Sequence, residues 1–280
     1  MCRIHDDVEG GDQLASTSAT PIALGTRTKT LTELDQGLEI PALLLRPSCY
    51  LEVLIPALDE ARRLPHTLLH TVRYLEAQPY SSSVVVIDNG SVDQTSDLVA
   101  RTRSDRVLVH LTGCARPGKG AAVRRGFLTS RARFVGYMDA DLATPIETLD
   151  TVVPLLAECQ AVVGSRRIRG ATLAKRQPVH RSVGSAAFRM MAHRVVPGFA
   201  DTQCGFKFFA GDLARTVARK LRIDGFAFDV ELLRMVTDMG VPIKEVPVIW
   251  SDGEGSTLRV LRDGPRTATD LLRLARRESP

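Results

Sequence analysis

Apolar residues follow two alternating patterns from residue 50 onward. Residues 51–55 and 84–87 are short, nearly continuous apolar runs rich in valine, leucine and isoleucine, which is typical of strands buried on both faces. Between them, residues 60–77 place leucine and valine at the three- and four-residue spacing of an amphipathic helix. Strands that alternate with helices in this way predict an α/β fold with a doubly wound, mostly parallel sheet.

The same alternation continues to the end of the chain, with a more mixed second half. Further strands are predicted at residues 107–111, 134–138, 161–164, 206–209 and 243–250. Further helices are predicted up to residue 103, from residue 119, within residues 182–195, and at residues 230–239 and 267–277. Residues 1–47 have no apolar period, so we expect a poorly ordered N-terminal lead-in followed by a single domain over residues 48–280.

Composition narrows the class of protein. The chain has 280 residues, of which 44% are hydrophobic and 25% charged, as in an ordinary globular protein. Aromatic residues make up only 5%, which argues against a stacking surface for single-stranded nucleic acid. No apolar run approaches the ~20 residues of a membrane span, and the first residues lack the pattern of a signal peptide. We therefore expect a cytoplasmic protein with no nucleic-acid partner.

Positive charge is concentrated in one segment. The net charge is +5, but residues 159–200 contain many arginines and no acidic residue at all. A segment of one charge sign is typical of contact with an anionic partner, and a solvated helix face is the alternative. The last predicted helix is also basic, so an anionic membrane surface is a second expected partner, bound peripherally from the inner face.

Two carboxylates follow the fourth predicted strand. Asp139 and Asp141 are separated by one residue where the chain leaves the sheet, so both can reach one cation. Mg²⁺ and Mn²⁺ prefer oxygen ligands, often carboxylates together with substrate phosphates. Such an ion neutralises the charge that develops on a departing diphosphate. We therefore predict a Mg²⁺ or Mn²⁺ site at Asp139 and Asp141, with a catalytic role for Asp141.

Other polar residues follow neighbouring strands, where doubly wound sheets bind their ligands. Asp88 ends the second strand and can accept a hydrogen bond from a base N–H, although an Asx-type turn that caps the next helix is the alternative. Lys119 follows Pro117 and Gly118 and opens a helix, where a point charge and free backbone N–H groups suit a phosphate. The spacing of a P-loop is absent, so ATP hydrolysis is not expected.

These segments resemble the motifs of a known family. Residues 56–60, 86–93, 118–120 and 139–142 resemble, in order, the motifs of glycosyltransferase family 2. Farther along, residues 164–166, 201–207, 228–233, 245–250 and 254–256 are similar to the dolichyl-phosphate glucosyltransferase branch of that family. The resemblance covers residues 50–272, which is nearly everything after the lead-in.

The resemblance implies a GT-A fold and inverting sugar transfer from a UDP- or GDP-sugar, with UDP-glucose as the first expectation. It places the nucleotide-sugar at Pro56, Ala57, Glu60, Asp88, Lys119, Asp139, Ala140 and Asp141. It places the acceptor at Arg166, Arg181 and Ser185, and we also expect Asp229, in the similar segment 228–233, to contact the acceptor. The chain departs from the family at Leu58, which replaces an aromatic residue, and at Asn89, which replaces an aspartate. The membrane helices typical of lipid-phosphate sugar transferases are also missing.

The chemistry of the acceptor decides whether a general base is needed. A phosphate monoester is already anionic at neutral pH because its second pKa is about 6, so it needs only cationic positioning. The acid-free segment therefore favours a phosphorylated acceptor, with polyprenyl phosphate as our expectation. A hydroxyl group of a soluble small molecule or natural product needs a carboxylate base instead. Asp201, Asp229 and Glu231 are available as bases. Asp201 is the candidate for a catalytic base, because the resemblance places its segment near the acceptor, and a capping or salt-bridging role is the alternative.

Two other classes of protein share parts of this pattern. A nucleotidyltransferase has a similar sheet and metal-binding acids, but a Gly-rich basic loop normally follows its first strand, and residues 56–60 contain none. A non-catalytic binder of sugar nucleotides is expected to lose one of the two acids, Asp139 or Asp141, and both are present. The sequence therefore favours a glycosyltransferase.

Overall fold

The computed structural model describes residues 48–173, 188–251 and 260–276. The predicted N-terminal lead-in, residues 1–47, lies outside the described residues, as do the predicted acceptor residues Arg181 and Ser185. Within the described part, no helix is long and apolar enough to cross a membrane.

Nine strands lie in the described residues. They are β1 (Leu51–Ala57), β2 (Ser82–Asp88), β3 (Val107–Gly113), β4 (Phe134–Met138), β5 (Ala161–Ser165), β6 (Thr172–Leu173), β7 (Phe206–Ala210), β8 (Ile243–Pro247) and β9 (Ile249–Trp250). Seven of them form one sheet in the order β3-β2-β1-β4-β7-β5-β8. Only β7 in this sheet runs antiparallel to its two neighbours. The predicted mostly parallel α/β sheet with a mixed second half is therefore confirmed.

Helices cover both faces of the sheet. They are α1 (Leu64–Glu76), α2 (Thr95–Arg101), α3 (Lys119–Thr129), α4 (Leu149–Glu158), α5 (residues 188–195), α6 (Gly211–Lys220), α7 (Phe228–Asp238) and α8 (Val260–Arg276). Alternate residues of one strand pack on opposite sides: Leu54 of β1 lies with α3, α6, α7 and α8, whereas Val53 lies with α1 and α4. This alternation explains why the strands read as continuous apolar runs.

Three predictions about elements need correction. Helices α4 and α6 were not predicted, because Pro154 lies inside the first and the second begins at Gly211, directly after β7. The single strand predicted at residues 243–250 is two strands, since the chain leaves the main sheet at Val248. After this break, β9 pairs with β6 in a separate two-stranded sheet.

The register of the strands gathers the polar ends at one edge. Ala57 of β1 pairs with Asp88 of β2, and Asp88 pairs with Gly113 of β3. Strand β4 lies on the other side of β1 in parallel and ends at Met138, directly before Asp139. The side chains predicted to bind the donor therefore follow neighbouring parallel strands at the same edge.

Candidate active site

The loops that follow β1 and β2 are tied together by short hydrogen bonds. The backbone N–H of Asp59 donates to Ser91 Oγ at 2.9 Å, and the N–H of Val92 donates back to Asp59 Oδ1 at 2.8 Å. The N–H of Ala61 donates to Asp93 Oδ2 at 2.9 Å. These reciprocal bonds hold the two loops as one rigid rim at the edge of the sheet.

Asn89 connects this rim to the loop that follows β3. Its backbone N–H donates to the carbonyl of Ala57 at 2.9 Å, and its side-chain Nδ2 donates to the carbonyl of Arg116 at 2.7 Å. Its Oδ1 accepts from the N–H of Gly118 at 2.6 Å. An ionised aspartate could only accept hydrogen bonds, so the departure from the family at this position has a structural reason.

Asp88 lies at the end of β2 and holds its own turn. Its Oδ1 accepts from the N–H of Ser91 at 3.0 Å, and its Oδ2 accepts from Ser96 Oγ at 3.1 Å. The Asx-type turn is therefore present. Each carboxylate oxygen has two lone pairs, so Asp88 keeps acceptor capacity for a base N–H, and that contact stays a prediction.

Lys119 and Asp139 form an ion pair across the site. Lys119 Nζ lies 2.5 Å from Asp139 Oδ1. Burial disfavours the charge of Lys119, but the charges of Asp139 and Asp229 outweigh burial and raise the pKa of the lysine. The predicted phosphate-binding lysine and the first predicted metal ligand are thus direct neighbours.

The start of α3 is not the open N-terminus that the sequence suggested. The N–H groups of Gly120 and Ala121 donate to the carbonyl of Asp224 at 2.7 and 3.2 Å. The expectation that these groups are free for a phosphate is therefore wrong. Gly118 adopts φ +122° directly before the helix, and a Cβ there would lie 2.2 Å from the same carbonyl. The side chain of Lys119 is the group predicted to reach a phosphate, while the backbone carbonyl of Asp224 caps the N-terminus of α3.

Asp139 occupies space that only a glycine leaves open. A Cβ atom on Gly205 would lie 2.0 Å from Asp139 Oδ2, which no real contact permits. Gly205 immediately precedes β7, the antiparallel strand beside β4. The family-like motif at residues 201–207 therefore has a role that sequence reasoning missed: it makes room for the carboxylate of Asp139.

Asp141 and Glu60 share a cation, Arg63. Arg63 Nε donates to Glu60 Oε2 at 2.7 Å, and Arg63 Nη1 lies 3.5 Å from Asp141 Oδ2. Asp141 Oδ1 also accepts from the N–H of Ala143 at 3.1 Å. Burial, followed by the negative charge of Asp139, raises the pKa of Asp141. Sequence reasoning missed Arg63, whose only signal was its position three residues after Glu60.

The other residues predicted to bind the nucleotide-sugar lie at the same edge of the sheet. Pro56 and Ala57 are the last residues of β1. The carbonyl of Ala140 accepts from Thr67 Oγ1 at 2.6 Å, which fixes the turn between Asp139 and Asp141. The donor residues predicted from sequence therefore come together in the structure.

Asp201, the candidate base, is held by Arg166. Arg166 Nε donates to Asp201 Oδ2 at 2.6 Å, and Nη2 donates to Oδ1 at 2.9 Å. The backbone N–H groups of Arg166 and Gln203 donate to the same carboxylate, each at 3.1 Å. Burial alone raises the pKa of Asp201, but the bonds from Arg166 outweigh burial and lower it to about 2. A carboxylate in this environment is a weak base.

Arg166 is further positioned by an aromatic ring. Its guanidinium carbon lies 5.4 Å from the ring centroid of Trp250 in β9, within the range of a cation–π contact. Asp201 and Trp250 thus fix the plane of the guanidinium from two directions.

Asp229, predicted to contact the acceptor, lies in the core. Its side chain is 4% exposed and its Oδ1 accepts from Lys207 Nζ at 2.5 Å and from the hydroxyl of Tyr137. Lys207 is fully buried and also donates to the carbonyl of Cys204 at 2.5 Å. This placement corrects the prediction: Asp229 is a partner of buried Lys207 and Tyr137, and its charge also acts on Lys119.

A match to a known family agrees with this geometry. The profile of Glycosyl transferase family 2 matches residues 52–215, more than half of the chain. The chain belongs to glycosyltransferase family 2. It is 32% identical over 242 residues to the dolichyl-phosphate beta-glucosyltransferase of Dictyostelium discoideum, covering 80% of this chain and 73% of that protein. It is also 32% identical over 236 residues to the Mus musculus protein of the same name, covering 78% and 72%.

Solved structures share the GT-A fold. Glucosyl-3-phosphoglycerate synthase from Mycobacterium tuberculosis, in complex with Mn²⁺, UDP-glucose and phosphoglyceric acid, superposes with a TM-score of 0.62 at 18% identity. The superposition covers 81% of this chain and 80% of the synthase. This family 2 glycosyltransferase therefore has the expected GT-A architecture.

Proposed function

We propose that this enzyme transfers glucose from UDP-glucose to the phosphate group of a polyprenyl phosphate, with inversion at the anomeric carbon. Relatives named dolichyl-phosphate beta-glucosyltransferase support the choice of sugar and acceptor. One observation carries the choice of a phosphate over a hydroxyl group. The carboxylate of Asp201 is bound by Arg166 and has a pKa of about 2, so it is poorly suited to remove a proton.

A phosphate acceptor makes such a base unnecessary. Its second pKa is about 6, so an anionic oxygen is available at neutral pH. This oxygen forms a bond to the anomeric carbon while the bond from that carbon to the β-phosphate of UDP breaks. No proton moves in the step, and the pair of electrons leaves with UDP. The enzyme must supply orientation and positive charge.

Arg166 supplies orientation in this proposal. The bidentate pair with Asp201 fixes the guanidinium plane, and Nη1 makes no hydrogen bond to any residue that the structure describes. Asp201 is then a positioning residue for Arg166. Arg181 and Ser185 keep their proposed acceptor role on the family motif alone.

We assign the diphosphate of the UDP-sugar to the edge of the sheet where Lys119, Asp139 and Asp141 lie. Lys119 is a positive point charge at the start of α3, and Asp88 is assigned to the base. Arg63, which links Glu60 and Asp141, is a second cation beside this edge.

Asp139 and Asp141 suit a divalent cation that takes its other ligands from the donor diphosphate. Among the described residues, no group of three His, Cys, Asp or Glu side chains could hold a metal on its own. Each of the two carboxylates has a cationic side chain within 3.5 Å, Lys119 for one and Arg63 for the other, with which a bound ion would compete. Oxygen ligands of this kind suit Mg²⁺ or Mn²⁺. The ion supplies charge neutralisation to the leaving diphosphate, and these two residues are proposed to hold it.

A donor panel tests the proposal. The purified enzyme is incubated with a short polyprenyl phosphate and, separately, with UDP-glucose, UDP-galactose, GDP-glucose and GDP-mannose, with Mn²⁺ or with EDTA. We expect a polyprenyl phosphate product heavier by one hexose only with UDP-glucose and Mn²⁺. Transfer from GDP-mannose in place of UDP-glucose, or full transfer in EDTA, would contradict the assignment.

A further inference from the structure

A cavity of about 400 Å³ lies outside the site described above. It is bounded by the loop before α3, the loop between α6 and α7, and the exposed side of α8. Its charged lining residues are Arg116, Arg222, Asp224, Arg266, Asp270 and Arg273. None of these is a predicted donor or acceptor residue, so the cavity is separate from the proposed sugar-transfer site.

The charges of this cavity do not cancel. Arg116 Nε donates to Asp224 Oδ2 at 2.7 Å, and Arg273 Nη1 lies 3.6 Å from Asp270 Oδ1. Both carboxylates of the cavity lining are therefore already paired with an arginine. The guanidinium groups of Arg222 and Arg266 make no hydrogen bond or ion pair with the residues that the structure describes. Counted over the described residues, the lining is therefore left with two uncompensated positive charges.

The geometry favours one class of ligand. A guanidinium is a planar fork whose paired N–H donors match the oxygens of a phosphate. A phosphate monoester carries close to two negative charges at neutral pH, about −1.5 to −2, which is the charge that the lining lacks. The hydroxyl of Thr269, which also lines the cavity, adds a neutral donor.

We propose that this cavity is a second anion site, which binds a phosphate group between the two loops and α8. The phosphate group belongs either to a soluble phosphate monoester or to an anionic lipid headgroup. Both ligands present the same chemistry to Arg222 and Arg266.

The site adjoins the loop that carries Lys119. Asp224 lines the cavity with its carboxylate, while its backbone carbonyl accepts from Gly120 and Ala121 at the start of α3. A phosphate in the cavity competes with the Asp224 carboxylate for Arg116. Removal of that carboxylate charge is therefore expected to tighten anion binding, whereas removal of the free arginine charges weakens it.

Binding is tested with two probes that separate the sources. Calorimetry measures the affinity for inorganic phosphate, and flotation measures binding to phosphatidylcholine vesicles with and without phosphatidic acid. We compare the Arg222→Gln/Arg266→Gln double variant with a matched Arg73→Gln/Arg101→Gln variant. Arg73 of α1 and Arg101 of α2 are exposed and belong to helices on the opposite face of the sheet. The control makes the same change in net charge.

We expect the cavity variant to lose about tenfold or more in affinity for at least one probe, while the control matches the wild type. Asp224→Asn is expected to bind that probe more tightly, unlike Asp97→Asn on exposed α2. Binding of inorganic phosphate identifies a soluble ligand, and binding of the acidic vesicles alone identifies a lipid headgroup. The proposal is overturned if neither probe binds the wild type, or if the cavity and control variants bind both probes equally.

Discussion

Arg166 and Asp201 face each other across two hydrogen bonds of 2.6 and 2.9 Å, with only 3% of Asp201 exposed. Arg166 directly follows β5, and Asp201 precedes β7, the neighbouring antiparallel strand. Bidentate pairs of this type are among the strong charge-assisted bonds in proteins. The pair makes the Asp201 carboxylate a weaker base and holds the Arg166 guanidinium in a fixed orientation.

Replacement of Asp201 should show whether this residue acts as a general base or only positions Arg166. If Asp201 only positions Arg166, Asp201→Asn keeps a hydrogen-bonding partner for the guanidinium, and the transfer rate should fall by less than about tenfold. Loss of a general base typically costs about 10²–10⁴-fold. Arg166→Ala, in contrast, should raise KM for the acceptor with unchanged UDP binding. Steady-state kinetics measures both, and a nearly inactive Asp201→Asn beside an active Arg166→Ala would support a hydroxyl acceptor.

The same pair should make stability depend on pH. The folded-state pKa of Asp201 lies at about 2, below its ordinary value of 3.8, because Arg166 outweighs burial. A lowered pKa stabilises the fold above the unfolded pKa, and this contribution is lost as the pH falls through the folded pKa. It amounts to roughly 2 kcal/mol at neutral pH. Urea unfolding should show a stability gap between wild type and Asp201→Asn at neutral pH that narrows below about pH 4. A gap that stays constant down to low pH would exclude this origin.

A methyl group at residue 205 should disable the site without disturbing the fold. Because a Cβ there would lie 2.0 Å from Asp139 Oδ2, Gly205→Ala must displace the carboxylate. We expect transfer to fall by about tenfold or more, in line with a ligand moved by about 1 Å. Gly113→Ala is the matched control, since its Cβ would meet nothing within 4 Å. Equal transfer rates for the two alanine variants would show that the position of Asp139 is unimportant.

Recognition of the base is tested at Asp88. Asp88→Ala should weaken UDP binding by roughly 1–3 kcal/mol, because a buried base N–H is left unpaired. Ser96→Ala removes one bond of the turn around Asp88 but leaves its carboxylate, so it controls for damage to the turn. Calorimetry should show weak UDP binding in the first variant and nearly normal binding in the second. Equal losses would assign Asp88 to the turn alone.

The sequence patterns predict the main strands of the sheet and the acidic side chains at the ends of those strands. Continuous apolar runs marked β1, β2 and β4; Asp88 is the last residue of β2, and Asp139 directly follows β4. Because parallel strands end at one edge, these residues came together once the strands were placed. Most element boundaries moved by only a few residues, as at α1, which begins at Leu64, whereas α8 begins at Val260, seven residues before its predicted start.

Contacts between distant segments could not be read from the sequence. Lys207 lies in an otherwise apolar strand, and its partner Asp229 is on a later helix. Arg63 reaches Asp141 from a different loop. Such pairs depend on where the chain crosses the sheet, and local spacing carries no signal for that. For this reason the sequence-based prediction that Asp229 contacts the acceptor missed that tertiary packing buries this side chain.

The central claim, that the nucleophile is a phosphate oxygen, is tested most directly by a matched pair of acceptors. The enzyme is given UDP-glucose with a short polyprenyl phosphate or with the corresponding polyprenol, which differs only by a hydroxyl group in place of the phosphate. Products are identified and quantified by mass spectrometry. We expect glucosyl transfer to the polyprenyl phosphate and none to the polyprenol. Glucosylation of the polyprenol at an equal or higher rate would contradict the proposed function.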